Sequence, residues 1–185
     1  MWRSEDIPNA KVWSKMIKAK IQESQQRKWE VELRTKPKLR TLIKLKSELK
    51  SENYLHLPIS KEKRSLLTQL RIGTNKLRIE TGRWENLARD ERLCLLCGLE
   101  SETEAHFLLR CPAYDHSRQE LIRKINIISK GAIDINLMES DSAKLDLLIG
   151  RGRIDENYNH VFMVVANYIK NSFDFRNSIL FNSNF

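Results

Sequence analysis

With 185 residues, 41% of them hydrophobic and 31% charged, the chain has the size and polarity of one soluble domain or two small helical pieces. No stretch approaches the roughly 18 consecutive apolar residues of a membrane span, and the opening Met-Trp-Arg-Ser-Glu-Asp-Ile-Pro lacks the apolar centre of a secretory signal. An intracellular protein of nucleus or cytoplasm is therefore expected, with reduced thiols, no membrane partner and no small-molecule substrate.

The net charge of +9 is unevenly placed. Residues 1–50 hold 14 Lys and Arg against 6 Asp and Glu, whereas the rest of the chain holds 19 against 18. A basic front half suggests a polyanionic partner, RNA or DNA first. The competing reading is that these lysines only keep helix surfaces in water.

In chain order, Val12, Trp13, Met16, Ile17 and Ile21 give one apolar helical face over Ala10 to Leu33, with Lys11, Lys15 and Lys18 elsewhere on the surface. Trp29, Val31 and Leu33 alternate with Glu30 and Glu32, which fits a continuing helix or a short extended piece, helix being favoured. After Thr35-Lys36-Pro37, the stripe Leu39, Leu42, Ile43, Leu45 and Leu49 predicts a second, basic helix. Ser60 is placed to cap a third over Lys61 to Arg71, with Leu66, Leu67 and Leu70 inward. Residues 74–90 read as a loop-rich approach with room for a short strand.

Helical spacing returns from Tyr114 to Ile128, stops at Gly131, and resumes after an Asp141 or Ser142 cap up to Gly150-Arg-Gly152. A last helix is expected over Glu156 to Ser172, followed by a loose tail from Phe173 to Phe185. The class is mainly α: five or six short helices around a CCHC zinc knuckle, with little or no sheet. Three segments are expected: a basic helical one (1–60), a zinc-binding one (61–130), and a C-terminal helical one with the tail (131–185).

All three cysteines lie in the window Cys94 to Cys111, with His106 between them, as C-x2-C-x8-H-x4-C. Four borderline-soft donors with no cysteine left over suit one structural Zn2+ in a closed tetrahedral site. Cys94 and Cys97 form a knuckle, where Gly98 can take positive φ. Ser101-Glu-Thr-Glu104 has the form of a capping box, so a helix starting near Glu102 would carry His106 inward, and Pro112 would end it just past Cys111. A redox pair would leave His106 and Cys111 idle, and no βαβ pattern surrounds the window. His116 is a rival fourth ligand by proximity alone. Four protein ligands leave no open position for catalysis.

The words around these ligands are more specific than the ligands. Arg64-Ser-Leu-Leu-Thr-Gln-Leu-Arg71-Ile-Gly73, Leu77-Arg-Ile-Glu80-Thr-Gly82-Arg83, Glu91-Arg92-Leu-Cys94-Leu-Leu-Cys97 and Glu102-Thr103-Glu-Ala-His106-Phe107-Leu-Leu-Arg-Cys111-Pro112-Ala-Tyr114 resemble the zinc-binding C-terminal region of LINE-type (non-LTR) retrotransposon reverse transcriptases. Lys36-Pro37-Lys38-Leu39-Arg40-Thr41 and Glu52-Asn-Tyr54-Leu55 are similar to the segment before it, and Tyr168 and Arg176 are compatible with its closing helix. The resemblance covers residues 30–125 well and the ends loosely. It implies a parent RNA-directed DNA polymerase, the remainder of which is a possible partner.

The aromatic-Ala-Asp-Asp turn such polymerases need is missing, and no Asp-Asp pair occurs anywhere. Asp115, Asp134, Lys144 and Asp146 read as surface residues rather than as a nuclease centre. The chain therefore reads as the terminal, non-catalytic piece of a retroelement protein, a structural-zinc module binding RNA or DNA backbone. The contact candidates are Arg83, Trp84, Arg89 and Arg92 beside the knuckle, with Lys38, Arg40 and Lys44 upstream. Trp84 suits either base stacking or core packing, and Arg92 either phosphate contact or hydrogen bonds to the thiolates. The alternative is a structural or protein-interaction module that braces a polymerase body without touching nucleic acid.

Overall fold

A computed structural model describes residues 9–150 and 156–182. The fold is mainly α. Five helices exceed one turn among the described residues: α1 (Ala10–Thr35), α3 (Lys61–Ile72), α5 (Asp115–Ile128), α6 (Asp141–Ile149) and α7 (Glu156–Asn182). Two more, α2 (Leu42–Leu45) and α4 (Arg78–Thr81), are single turns. The one extended pairing described is an isolated antiparallel bridge between Leu93 and Ser101. No described helix is long and apolar enough to cross a membrane.

Local signals set most helix starts. Asn9 Oδ1 accepts from the Val12 N–H, Ser60 Oγ from Lys63 and Ser140 Oγ from Ala143, each satisfying an otherwise orphaned amide of a first turn. For α6 the cap is thus Ser140, one or two residues before the expected Asp141 or Ser142. The Gly150 end of α6 is where the pattern put it, while Gly152 lies outside the described residues.

One cluster of buried side chains draws on all three expected segments, from Leu45 and Tyr54 through Leu67, Leu70, Phe107 and Ile125 to Val161, Phe162 and Ile169. Both α3 and α5 pack along α7, and the Tyr54 ring stacks on Phe162 at 5.7 Å. Arg71 lies inside this cluster at 1% exposure. Its guanidinium donates to the carbonyls of Ile149 and Gly150 at the C-terminal end of α6 and pairs with Glu52 at 2.9 Å. One side chain thereby satisfies carbonyls that a helix end leaves unpaired.

Four expectations are corrected. The basic helix over residues 38–50 is two single turns, Pro37–Arg40 and Leu42–Leu45, and the chain beyond them is not helical. Gln26 of α1 takes over there, donating to Ser47 O (3.0 Å) and accepting from the Leu49 N–H (2.8 Å), so tertiary bonds replace helical ones. The strand allowed for in residues 74–90 is the turn α4.

The final helix does not stop at Ser172. It runs to Asn182, because Phe173 packs on Phe107 at 4.8 Å and Arg176 is drawn into the interior. The apolar face of α1 is also not core. Val12, Trp13, Met16, Ile17 and Ile21 are exposed, and among the described residues α1 meets the body through its C-terminal half, where Leu33 is buried.

Gly73 ends α3 at φ +65°, and a Cβ there would lie 2.2 Å from the Lys38 carbonyl oxygen. Left-handed backbone and contact with the Pro37–Arg40 turn both demand glycine. Gly73→Ala is expected to cost at least about 2 kcal/mol, seen as a lowered midpoint in chemical denaturation.

Candidate metal centre

The knuckle is built by backbone bonds. The Gly98 N–H donates to Cys94 O at 2.8 Å, closing the turn with Gly98 at φ +68°. The Cys94 N–H donates to Glu100 O and the Glu102 N–H to Arg92 O, both at 2.9 Å, so the chain doubles back around the two cysteines. Apart from its chain neighbours, no side chain or backbone atom lies within 4 Å of where a Gly98 Cβ would be. The turn therefore needs glycine for its φ, not for space.

The second pair of ligands comes from one turn of unusual width. His106–Arg110 is π-helical, and the Cys111 N–H donates to His106 O at 2.8 Å. At about 100° per residue, an α-helix would turn residues i and i+5 roughly 140° apart. The wider i→i+5 turn brings both ligands to one side. Thr103 Oγ1 starts this segment by accepting from the His106 N–H at 3.1 Å.

The cap is thus Thr103, not the expected Ser101. Ser101 Oγ bonds instead to Arg89 O at 3.0 Å, and the two acids of the supposed capping box turn into the protein. The reason is long-range charge: Glu102 and Glu104 each meet an arginine from a distant element.

The structure brings Cys94, Cys97, His106 and Cys111 together, with one donor atom of each inside a common span of 4.8 Å. Cys94 Sγ and Cys111 Sγ are 3.8 Å apart, and Cys97 Sγ lies 3.3 Å from His106 Nε2. The imidazole therefore offers Nε2 to the thiols. Its other nitrogen, Nδ1, is 3.0 Å from Glu100 Oε1, though without the alignment of a full hydrogen bond. A carboxylate behind an imidazole is the arrangement that orients a metal-ligating histidine. Hydrogen bonds from Arg110, with His106 close by, hold Glu100 down at about 2, so it is ionised. His116 is exposed on α5 and stands outside the cluster.

Behind the sulfurs is a carboxylate that the sequence reading missed. Glu102 is 1% exposed and receives both arms of Arg176, Nε at 2.7 Å and Nη2 at 2.8 Å. It also accepts from the Arg78 N–H at 2.6 Å and lies 3.8 Å from Cys94 Sγ. Helical spacing was the available clue, since Ile169, Phe173 and Arg176 share a face of α7. Glu104 is held similarly, by Arg40 Nη2 at 2.8 Å and Asn75 Nδ2 at 3.0 Å. On the far side, Arg118 of α5 donates to Leu108 O at 3.1 Å and Cys111 O at 2.6 Å, anchoring the exit of the π turn.

The seven nucleic-acid candidates fall into different settings. Trp84 is 80% exposed, so core packing is not its role. Arg92 bonds to the carbonyls of Ile79 (2.9 Å) and Leu87 (2.8 and 3.1 Å), which directs it to backbone rather than to the thiols. Arg83 reaches Glu80 at 3.3 Å, and Arg40 pairs with Glu80 and Glu104. Lys38, Lys44 and Arg89 are exposed. Of the carboxylates set aside as surface residues, Asp115 pairs with Arg118, while Asp134 caps the turn at Ile135 by accepting from the Asn136 N–H.

No protein-family model, no curated protein and no solved structure matches this chain.

Two outcomes follow from this geometry. Burial pushes the Cys94 thiol up and the Cys111 thiol up to about 12, so both are neutral at pH 7 without an ion. Metal ligation requires thiolates, so loading at pH 7 should release at least two protons per ion, and affinity should fall as pH falls. Calorimetry in buffers of different ionisation enthalpy reads both. Arg176→Met strands Glu102 and should cost about 3–5 kcal/mol. The double variant Glu102→Gln/Arg176→Met should cost less, because no lone buried charge remains.

Proposed function

We propose that this chain is a zinc-braced, non-catalytic module that holds the backbone of RNA or DNA, of the kind that forms the C-terminal region of LINE-type reverse transcriptases. The observation that carries it is the convergence of three sulfurs and one imidazole nitrogen from a single eighteen-residue window. Three thiols and an imidazole select a thiophilic metal over Mg2+ or Ca2+. With metal–sulfur bonds of about 2.3 Å, a tetrahedral site has sulfur–sulfur edges of about 3.8 Å, which the Cys94–Cys111 separation matches.

Zinc bound here would cross-link the knuckle to the π turn in place of a hydrophobic core. Cys94, Cys97, His106 and Cys111 would hold it, and Glu100 would orient the imidazole. Four protein donors leave no position for a reacting water. The retroelement wording supports the family assignment. Its Thr103 caps the π turn, its Glu102 takes Arg176, and its His106 and Cys111 supply two donors. The net charge of +9 and the exposed Lys38, Lys44 and Arg89 favour a phosphate partner.

A second reading has its own support. The exposed stripe Val12, Trp13, Met16, Ile17 and Ile21 on α1 suits a protein-interaction module that braces a larger body without touching nucleic acid.

Elemental analysis of the purified chain should return one zinc per molecule, and a chelator should abolish the cooperative unfolding of residues 90–115 in hydrogen exchange. Affinity for RNA should fall steeply with salt on a log–log plot. Absence of zinc together with indifference to chelator would sink the metal reading. Failure to bind RNA or DNA at low salt would transfer the function to the α1 stripe.

A further inference from the structure

Three of the basic candidates share one place. Arg40, Lys44 and Arg89 come from two parts of the chain more than forty residues apart, yet all three line one cleft of about 390 Å³. The same cleft is walled by Thr103, Glu104 and Ala105, the three residues immediately before the ligand His106, and by Ser142 in the first turn of α6. One wall is therefore fixed by the metal cluster.

Charge accounting leaves the cleft positive. Its one acid, Glu104, is engaged by Arg40 and Asn75 and buried at 3% exposure. Arg40 is thereby held in place rather than free to swing. Among the described residues, neither Lys44 nor Arg89 has a carboxylate partner, and both reach solvent. Three cations against one acid leave two positive charges unanswered. The hydroxyls of Thr103 and Ser142 add neutral donors suited to phosphate oxygens.

The positive track continues past the cleft. Glu80 is shared, with Arg40 on one oxygen and Arg83 on the other at 3.3 Å. The residue after Arg83 is Trp84, which is 80% exposed and has no ring contact among the described residues. An indole left in water, next in the chain to Arg83, is a stacking platform, and only unpaired bases can use it.

Resting on the nucleic-acid reading above, we propose that this cleft seats backbone phosphates of a single-stranded nucleic acid, one base of which stacks on Trp84. Lys44 and Arg89 neutralise the phosphates, and Arg40 and Arg83 carry the path to the indole. A duplex keeps its bases paired and stacked, so it gains nothing from Trp84. RNA and DNA single strands share this chemistry, and their ranking reports which sugar the path prefers.

The test uses the zinc-loaded full chain and fluorescently labelled 12-mers: single-stranded RNA, single-stranded DNA of the same sequence, and the DNA duplex. Anisotropy titrations across salt concentrations should rank either single strand above the duplex. Lys44→Ala/Arg89→Ala should lower single-strand affinity at least about tenfold and reduce the log–log salt slope by about 1.4, two contacts at about 0.7 each. Trp84→Ala should weaken binding at least about fivefold with the slope unchanged. The charge-matched pair Lys61→Ala/Lys124→Ala, on α3 and α5, should leave the slope as it is.

If wild type binds single strands but Lys44→Ala/Arg89→Ala behaves like that control, the cleft is not the seat, and the nucleic-acid reading survives. Equal affinity for the duplex, or no effect of Trp84→Ala, overturns the single-strand assignment. No binding of wild type to any of the three at low salt overturns this inference and the nucleic-acid reading together. Circular dichroism of each variant separates lost contacts from lost fold.

Discussion

A carboxylate held at 1% exposure is costly unless every part of it is answered, and Glu102 is answered by two separate elements of the fold. The two-pronged Arg176 comes from the last helix and the Arg78 N–H from the start of α4. Remove either and the charge loses a partner it cannot replace with water. The pair therefore fixes the depth at which α7 docks, and the knuckle is pressed against that helix. The rings around it, Phe107 on Tyr114 at 5.0 Å and on Phe173 at 4.8 Å, fill the space the ion pair leaves apolar.

The same device recurs. Arg71 satisfies the end of α6, Arg118 the exit of the π turn, and Arg40 the paired acids Glu80 and Glu104. A guanidinium suits this work because its planar fork can serve two acceptors at once and stays charged when buried. The segment from Gly82 to Cys111 has little regular backbone, so its order rests on these side-chain bonds and on the four donors that meet inside it. An ion held by those donors would act as the missing core of the segment, since ligand assembly and local folding are one process.

Rigidity at the cluster and mobility of charge at the surface are complementary features. Arginines that point inward are consumed by carbonyls and carboxylates, while Lys44 and Arg89 remain in solvent beside them. The proposed phosphate-bearing partner would meet a surface whose shape is already set, so little ordering would be lost on contact. The α1 helix contrasts with this. Its apolar stripe is turned to water, and its packing on the body is confined to the end near Leu33.

Much was legible in the residues alone. The four donors could be named from their spacing, because a chelate needs short loops and the distances along the chain already encode them. Helix starts at Ser60 and Ser140 could be read to within one or two residues, since a cap is a local bond. What stayed hidden depends on contacts across the chain. Ser101-to-Glu104 has the wording of a capping box, but Arg176, 74 residues later, claims Glu102 and moves the cap to Thr103. The stripe on α1 has the period of a core face, yet period cannot say whether anything lies opposite. Local chemistry determined which side chains could bind a metal; only tertiary packing decided which charges are buried and which face water, because burial is a property of the whole surface a chain closes.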